Sequence, residues 1–314
     1  TLQDALRNVV IDSPRQLYAA QLELIILSEE AATNHMSEIL EYFSREPESR
    51  TEVKFVIARG DDSTKAVTIQ TLLTNFSSSN IKQSLELQQK VLGLTPVYTL
   101  NELLNMYLDP TLEISLPSII VYGNAEEGDK KENITTSTPK ALTKIGTTAI
   151  FKGKDFLGYL TEEESKVHSI IIGSTKESII NLDYKDNYSV FELYKIESDI
   201  SPDIKDNKIT LNISGKARIK EFHSNTNITK SKETDRLNKE LNKHIEDIIK
   251  KNFNSMREKY NTDIFNFRQS FYRGNPKYYN THYKDTWYES IFPNLTLEVK
   301  SNIKLYEKGN TLGG

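Results

Sequence analysis

The sequence predicts a mixed α+β chain of three domains, each a small sheet packed by helices, and three observations carry that expectation. Helical and strand-like segments alternate up to about residue 122. A strongly polar stretch, Gly123 to Lys140, then interrupts the pattern. Beyond it, two long alternating strands precede the longest one-sided helical pattern in the chain, over 233–260. The expected domains are an α/β domain over 1–138, a small central α+β module over 139–187, and a C-terminal α+β domain over 188–314 that contains the long helix.

Element by element, Thr1-Leu2-Gln3-Asp4 reads as a helix start, with Leu2, Ala5, Leu6, Val9 and Val10 on one face and Ser13-Pro14 as its stop. Gln21 to Leu27 reads as a strand and Ser28-Glu29-Glu30 as the start of a helix carrying Ala32, Met36, Leu40 and Phe43, with Pro47 beyond it. Val53 to Ala58 is a buried-type strand. Ile81 to Leu92 and Thr99 to Leu108 read as helices, the second opened by the capping box Thr99-Leu100-Asn101-Glu102, and Ser118 to Tyr122 as a further strand. Gly123 to Lys140 is expected to be a linker or long hairpin loop. Thr147 to Phe151 and Phe156 to Leu160 form a hairpin across Lys152-Gly153-Lys154, and a second capping box, Thr161 to Glu164, starts a short helix. Ser169 to Ile172 and Ser178 to Leu182 read as short strands, Val190 to Ile196 and Ile209 to Ile219 as strands joined through the turn Lys205-Asp206-Asn207, and Leu295 to Ile303 as the last strand. In the long helix, Leu237, Leu241, Ile245, Ile248, Ile249, Phe253 and Met256 recur at three- and four-residue steps, so one face must pack on a sheet.

Composition excludes several classes. The 314 residues contain no cysteine, which removes disulfide scaffolds, thiolate metal sites and cysteine nucleophiles. No apolar run approaches the roughly 18 residues of a membrane-spanning helix. The net charge of −4 hides a polarity, with −11 over residues 1–202 and +7 over residues 203–314. The basic end suits either a lysine-rich solvated helix or an anionic partner.

No reactive constellation emerges. His35, His168, His223, His244 and His282 lack any metal-ligand spacing, so no metal and no cofactor is expected. The carboxylates of Glu29-Glu30 and Glu162 to Glu164 fall at helix starts, where negative charge belongs; Asp61-Asp62 is a third cluster. There is no Gly-x-Ser-x-Gly elbow or phosphate-cradling loop, Arg59-Gly60-Asp61 is too short a string to carry a function, and the five Asn-x-Ser/Thr sequons follow from Asn and Thr richness. No catalytic residue is therefore assigned. The segment from Phe265 to Tyr288 interleaves aromatic and basic residues and has two readings, a satellite core or a recognition surface. The candidate surface residues are Lys250, Lys251, Arg268, Arg273, Tyr278, Tyr279 and Trp287.

The run from Glu233 through Tyr260-Asn261-Thr262-Asp263-Ile264-Phe265-Asn266-Phe267, the stretch Trp287 to Phe292 and the closing strand ending near Gly309 resemble the C subunits of bacterial spore germinant receptors. Leu17-Tyr18, Glu29-Glu30-Ala31, Tyr42 to Glu46 and the hairpin Ala149 to Leu160 agree with the same family, and Asn266 stands where the family carries glycine. The resemblance implies a three-domain lipoprotein on the outer face of the spore inner membrane, held by an N-terminal lipid anchor upstream of Thr1. It also implies work with integral-membrane A and B subunits in nutrient-triggered germination, with no catalytic residues and no nucleic acid. The alternative is a binding protein that captures a small germinant in an interdomain cleft.

Overall fold

A computed structural model describes residues 2–12, 22–45, 52–60, 65–71, 77–185, 187–223 and 231–307. The stops expected at Ser13-Pro14 and Pro47, together with Leu17-Tyr18, Glu46 and Asp61-Asp62, lie outside the described residues. The chain divides into two compact units, one made of residues 1–86 and 97–159, the other of residues 87–96 and 160–314.

In the first unit, helix α1 (Leu2–Asp12) precedes strand β1 (Leu24–Ser28), helices α2 (Glu29–Asn34) and α3 (Met36–Arg45), and strand β2 (Lys54–Ala58). Helices α4 (Ser77–Val91), of which residues 77–86 belong to this unit, and α5 (Leu100–Leu108) follow, then strands β3 (Ser115–Leu116) and β4 (Ser118–Gly123). After the short helices α6 (Ala125–Gly128) and α7 (Glu132–Thr135) come strands β5 (Ala141–Ile145), β6 (Ala149–Lys152) and β7 (Asp155–Tyr159). One sheet has the order β1-β2-β4-β5, parallel except for β5; the other is antiparallel, with order β3-β6-β7. The side-chain period of two explains why β2 is buried on both faces. Phe55 and Ile57 enter a core with Ile25, Leu27, Leu40, Leu100 and Phe151, while Val56 and Ala58 enter a second with Ile81, Leu85, Val97 and Ile119.

The stretch from Gly123 to Lys140, expected as a linker or long hairpin loop, is the connection between the antiparallel strands β4 and β5, and it is folded into the two short helices α6 and α7. Its anchor is Asn133, fully buried, whose amide nitrogen donates to the Gln70 and Ala141 carbonyls at 3.1 and 2.9 Å and whose oxygen accepts from the Lys140 and Ala141 amides at 2.7 and 3.0 Å. One asparagine thus satisfies four groups and pins a polar segment that has almost no apolar residue to hold it.

The second unit contains helix α8 (Glu162–Ile171), strands β8 (Glu177–Tyr184), β9 (Asn187–Asp203) and β10 (Lys208–Phe222), helix α9 (Ser231–Tyr260), helices α10 (Phe267–Gly274) and α11 (Pro276–His282), a π-helical turn over Trp287–Ile291, and strand β11 (Thr296–Glu307). Its sheet has the order β11-β10-β9-β8, with β10 and β11 parallel and the rest antiparallel. The expected strand Ser169–Ile172 is instead the last turn of α8. The capping box at Thr161 and Glu164 nucleates that helix, and burial on nearly every side hides the periodicity that would have revealed it. The boundary expected at 187/188 falls inside the β8–β9 hairpin, where Tyr184 pairs with Asn187.

Helix α9 buries Leu237, Leu241, Ile245, Ile249, Phe253 and Met256 and packs on β11, β8 and α8. Its flank also closes an open sheet edge. Asn238 Oδ1 accepts from the Leu305 amide at 2.9 Å. Asn242 Oδ1 accepts from the Ile303 amide and from Ser301 Oγ, both at 2.7 Å, while its Nδ2 donates to the Ile303 carbonyl at 2.9 Å. Glu246 Oε1 accepts from the Ser301 amide at 2.9 Å. Helix residues spaced by four thereby answer strand residues spaced by two. On the other flank, His244 Nε2 donates to the Asn181 carbonyl of β8 at 2.9 Å.

Replacing Asn242 leaves two backbone groups and a hydroxyl of β11 without partners. Asn242→Ala is expected to lower unfolding free energy by about 2–4 kcal/mol, against less than about 0.5 kcal/mol for the exposed Lys243→Ala, both read by urea denaturation.

Candidate functional site

Where α9 ends, Asn261 takes a positive φ of 42° and turns the chain back on itself. Two residues on, Asp263 is fully buried and serves as the anchor of the following segment. Its Oδ1 accepts from the Phe265 and Phe267 amides at 3.2 and 3.3 Å, and its Oδ2 from the Arg268 amide at 2.5 Å. This carboxylate caps α10 from three residues before the conventional cap position, which is Asn266. Asn266 itself sits in the left-handed region, φ 64° and ψ 20°, and makes no side-chain cap bond. The left-handed backbone explains why glycine suits this position, and asparagine is the side chain that tolerates it best.

Beyond the cap, aromatic rings pack in sequence. Phe253 of α9 meets Phe265 at 5.2 Å and Phe292 at 6.2 Å between ring centroids; Trp287 meets Phe292 at 6.3 Å and Phe271 at 5.3 Å; Phe271 meets Tyr283 at 5.7 Å. Each such pair adds roughly 0.5–1.5 kcal/mol beyond burial. The π-helical turn at 287–291 points Trp287 inward, and its indole N–H finds no acceptor among the described residues, so packing alone holds the ring. Tyr283 donates its hydroxyl to the Ile204 carbonyl, and Asn207 Nδ2 donates to the Ile291 carbonyl at 2.9 Å, tying the segment to the β9–β10 turn.

The candidate surface residues separate. Tyr279 and Trp287 are each 1% exposed and belong to the aromatic core, not to a surface. Arg268 is drawn in with them: its Nε donates to Tyr279 Oη at 2.5 Å, one Nη donates to the Lys284 carbonyl at 3.2 Å, and its guanidinium lies 5.6 Å from the Tyr288 ring centroid. Tyr278 is half-buried against His282 and Tyr283. Arg273 is exposed, Lys250 is half-buried on α9, and Lys251 is exposed with Glu163 at 3.9 Å. The satellite-core reading therefore describes the aromatic residues, while Arg273, Lys277, Lys284 and Tyr272 form the outward surface.

Sequence reasoning did not single out His168, which joins α8 to this segment. Its ring is fully buried, Nε2 donates to the Ile264 carbonyl at 2.9 Å, and the Phe265 ring centroid stands 6.1 Å away. Burial holds its pKa down to about 4, partly countered by that hydrogen bond. The residue is neutral near pH 7. Among the described residues, no group of three His, Asp or Glu side chains could hold a metal ion, and no helix is long and apolar enough to cross a membrane.

The fold and the site define a multi-sheet α+β protein whose most elaborate region is a carboxylate-capped aromatic module built on one long helix and its sheet. The family described as "Spore germination B3/GerAC like, C-terminal" matches residues 146–309, and the family described as "Spore germination protein N-terminal domain" matches residues 1–121. The chain belongs to this GerAC-like spore germination family. It is similar in fold to a solved structure titled "Crystal Structure of the GerBC protein", with a TM-score of 0.61 and 19% identity over 95% of this chain and 83% of that one. No curated protein matches.

Two outcomes are expected from the buried polar groups. Asp263→Ala should lower stability by about 2–4 kcal/mol, through three orphaned amides, and Arg273→Ala by less than about 0.5 kcal/mol. Because the folded pKa of His168 is about 4 against an ordinary 6.5, only the unfolded chain takes up this proton as pH falls. The stability present above pH 6.5 should then drain away toward pH 4 by an amount on the order of 3 kcal/mol. Denaturation at stepped pH checks this, and His168→Gln should flatten that part of the slope.

Proposed function

We propose that this chain is a non-enzymatic C subunit of a spore nutrient-germinant receptor, tethered to the outer face of the spore inner membrane by a lipid anchor upstream of Thr1. It assembles there with the integral-membrane A and B subunits and is required for their assembly or signalling. The observation that supports this reading is the family match at both ends of the chain, residues 1–121 and 146–309. The Asp263-capped module fits a role in assembly, because rigid presentation of Tyr272, Arg273, Lys277 and Lys284 is what a docking surface needs and no reacting group stands among them.

Capture of a small germinant by this chain is less well supported. Two concavities among the described residues are a cleft of about 50 Å³ beside α2 and Gly153, and an open groove of about 410 Å³ on the β9–β10–β11 face lined by Glu197, Asp199, Asn212, Ile213, Lys300 and Asn302. The first is too small, and the second is an open groove on the sheet surface that would leave a ligand largely in solvent.

The test is co-purification of the lipidated full-length protein with the A and B subunits from membranes, with a second form lacking residues 160–314. Recovery of the complex by the intact protein is expected, with loss on truncation. Failure of the intact protein to associate overturns the proposal. Thermal stabilisation by amino acids or sugars in the absence of the other subunits would favour ligand capture instead.

A further inference from the structure

The bonds that seat α9 on β11 bring two rows of cations together. On α9, Arg236, Lys243 and Lys250 recur at intervals of seven, as do Lys232 and Lys239. That spacing keeps all five on one narrow stripe, roughly 27 Å long at 1.5 Å per residue. The stripe borders Asn238, Asn242 and Glu246, the residues bonded to β11, so it runs beside the strand on which Lys300 and Lys304 are exposed. Among the described residues none of the five helix cations is in an ion pair, and of the two strand lysines Lys300 meets Glu298 at 3.3 Å. The acidic Glu240 and Asp247 border the stripe on the side toward His244 and β8, three or four residues from Arg236, Lys243 and Lys250, and Asp235 stands four residues before Lys239.

We infer that this ridge, Lys232, Arg236, Lys239, Lys243 and Lys250 of α9 with Lys300 and Lys304 of β11, docks on an anionic phospholipid surface. The choice of occupant rests on residue type. Protein interfaces are depleted of lysine at their centres and anchored by Tyr, Trp, Met or Arg in pockets. Six of these seven side chains are lysine, and no aromatic residue stands among the five on α9, although Tyr306 is exposed two residues beyond Lys304. Nucleic-acid grooves add stacking aromatics, which the α9 row lacks. A row of long, hydrated point charges suits a diffuse anionic plane, each contributing additively within a Debye length. The net +7 over residues 203–314 against −11 over residues 1–202 confines this attraction to one end of the chain. The inference deepens the membrane placement proposed above, and gives the second unit a fixed side toward the bilayer.

Sedimentation of the chain with vesicles tests it, without need of the A and B subunits. Vesicles of phosphatidylcholine alone and of phosphatidylcholine with phosphatidylglycerol are compared at about 20 mM and about 150 mM salt. Binding is expected only with the anionic lipid, weakening as salt rises. The triple variant Lys239→Gln/Lys243→Gln/Lys250→Gln should lose roughly a hundredfold in partition coefficient. The matched triple Lys130→Gln/Lys154→Gln/Lys205→Gln, at exposed positions away from the ridge and equal in net charge, should bind as the wild type does. Equal losses in the two triples, equal binding to neutral vesicles, or no binding by the wild type at low salt would each overturn the inference. Ridge-dependent co-purification with the other subunits, without ridge-dependent vesicle binding, would assign the ridge to a protein partner and also overturn it.

Discussion

The second unit depends on one match of spacings. Four residues of helix rise about 6.0 Å and two residues of strand about 6.6 Å. Side chains at Asn238, Asn242 and Glu246 can therefore meet the outward amides of Leu305, Ile303 and Ser301 with an error of well under an ångström per rung. The error accumulates, so the ladder has to end. Farther along the helix the contact is made by the long side chain of Arg257, whose Nη1 reaches the Leu295 carbonyl at 2.6 Å. Without these bonds β11 would be a bare parallel edge of twelve residues, open to pairing with another chain.

Seating α9 in this way also places the chain beyond its C-terminus. The Asn261 turn, the Asp263 cap and the rings packed against Phe253 all take their position from the end of the helix. His168 then ties the Ile264 carbonyl to α8, so the capped segment is held from two sides. The same seating sets the lysine stripe of α9 beside Lys300 and Lys304. Structural and proposed docking roles thus share one helix: its apolar face builds the core, its amide flank closes the sheet, and its basic flank is left outward.

Much of the architecture was legible because its signals are periodic or local. The three- and four-residue recurrence from Leu237 to Met256 identified α9, and Thr99 and Thr161 marked helix starts that carry the full reciprocal cap. The turn Lys205-Asp206-Asn207 appeared where expected, with Asn207 at a positive φ of 45°. Failures came where the deciding contact is distant or the environment uniform. The Ile170-Ile171-Ile172 run has strong strand propensity, yet its first two residues close a buried helix started nine residues earlier. Asn133 holds the 123–140 segment through four side-chain bonds, one of them to Gln70 at 63 residues' separation, that composition cannot disclose. In the candidate site, the dense aromatic content was visible but not which rings turn inward, and the register of Asn238, Asn242 and Glu246 becomes readable only once the strand they face is known.

Residue-resolved amide hydrogen exchange on β11 is the most direct test of this account. If the α9 side chains lock the edge, the outward amides of Ser301, Ile303 and Leu305 should exchange only on global opening, with the same free energy as the central strand β10. Fast exchange at those three amides beside protected neighbours that face β10 would mean that the edge frays, and would contradict the claim that α9 and β11 form one locked element.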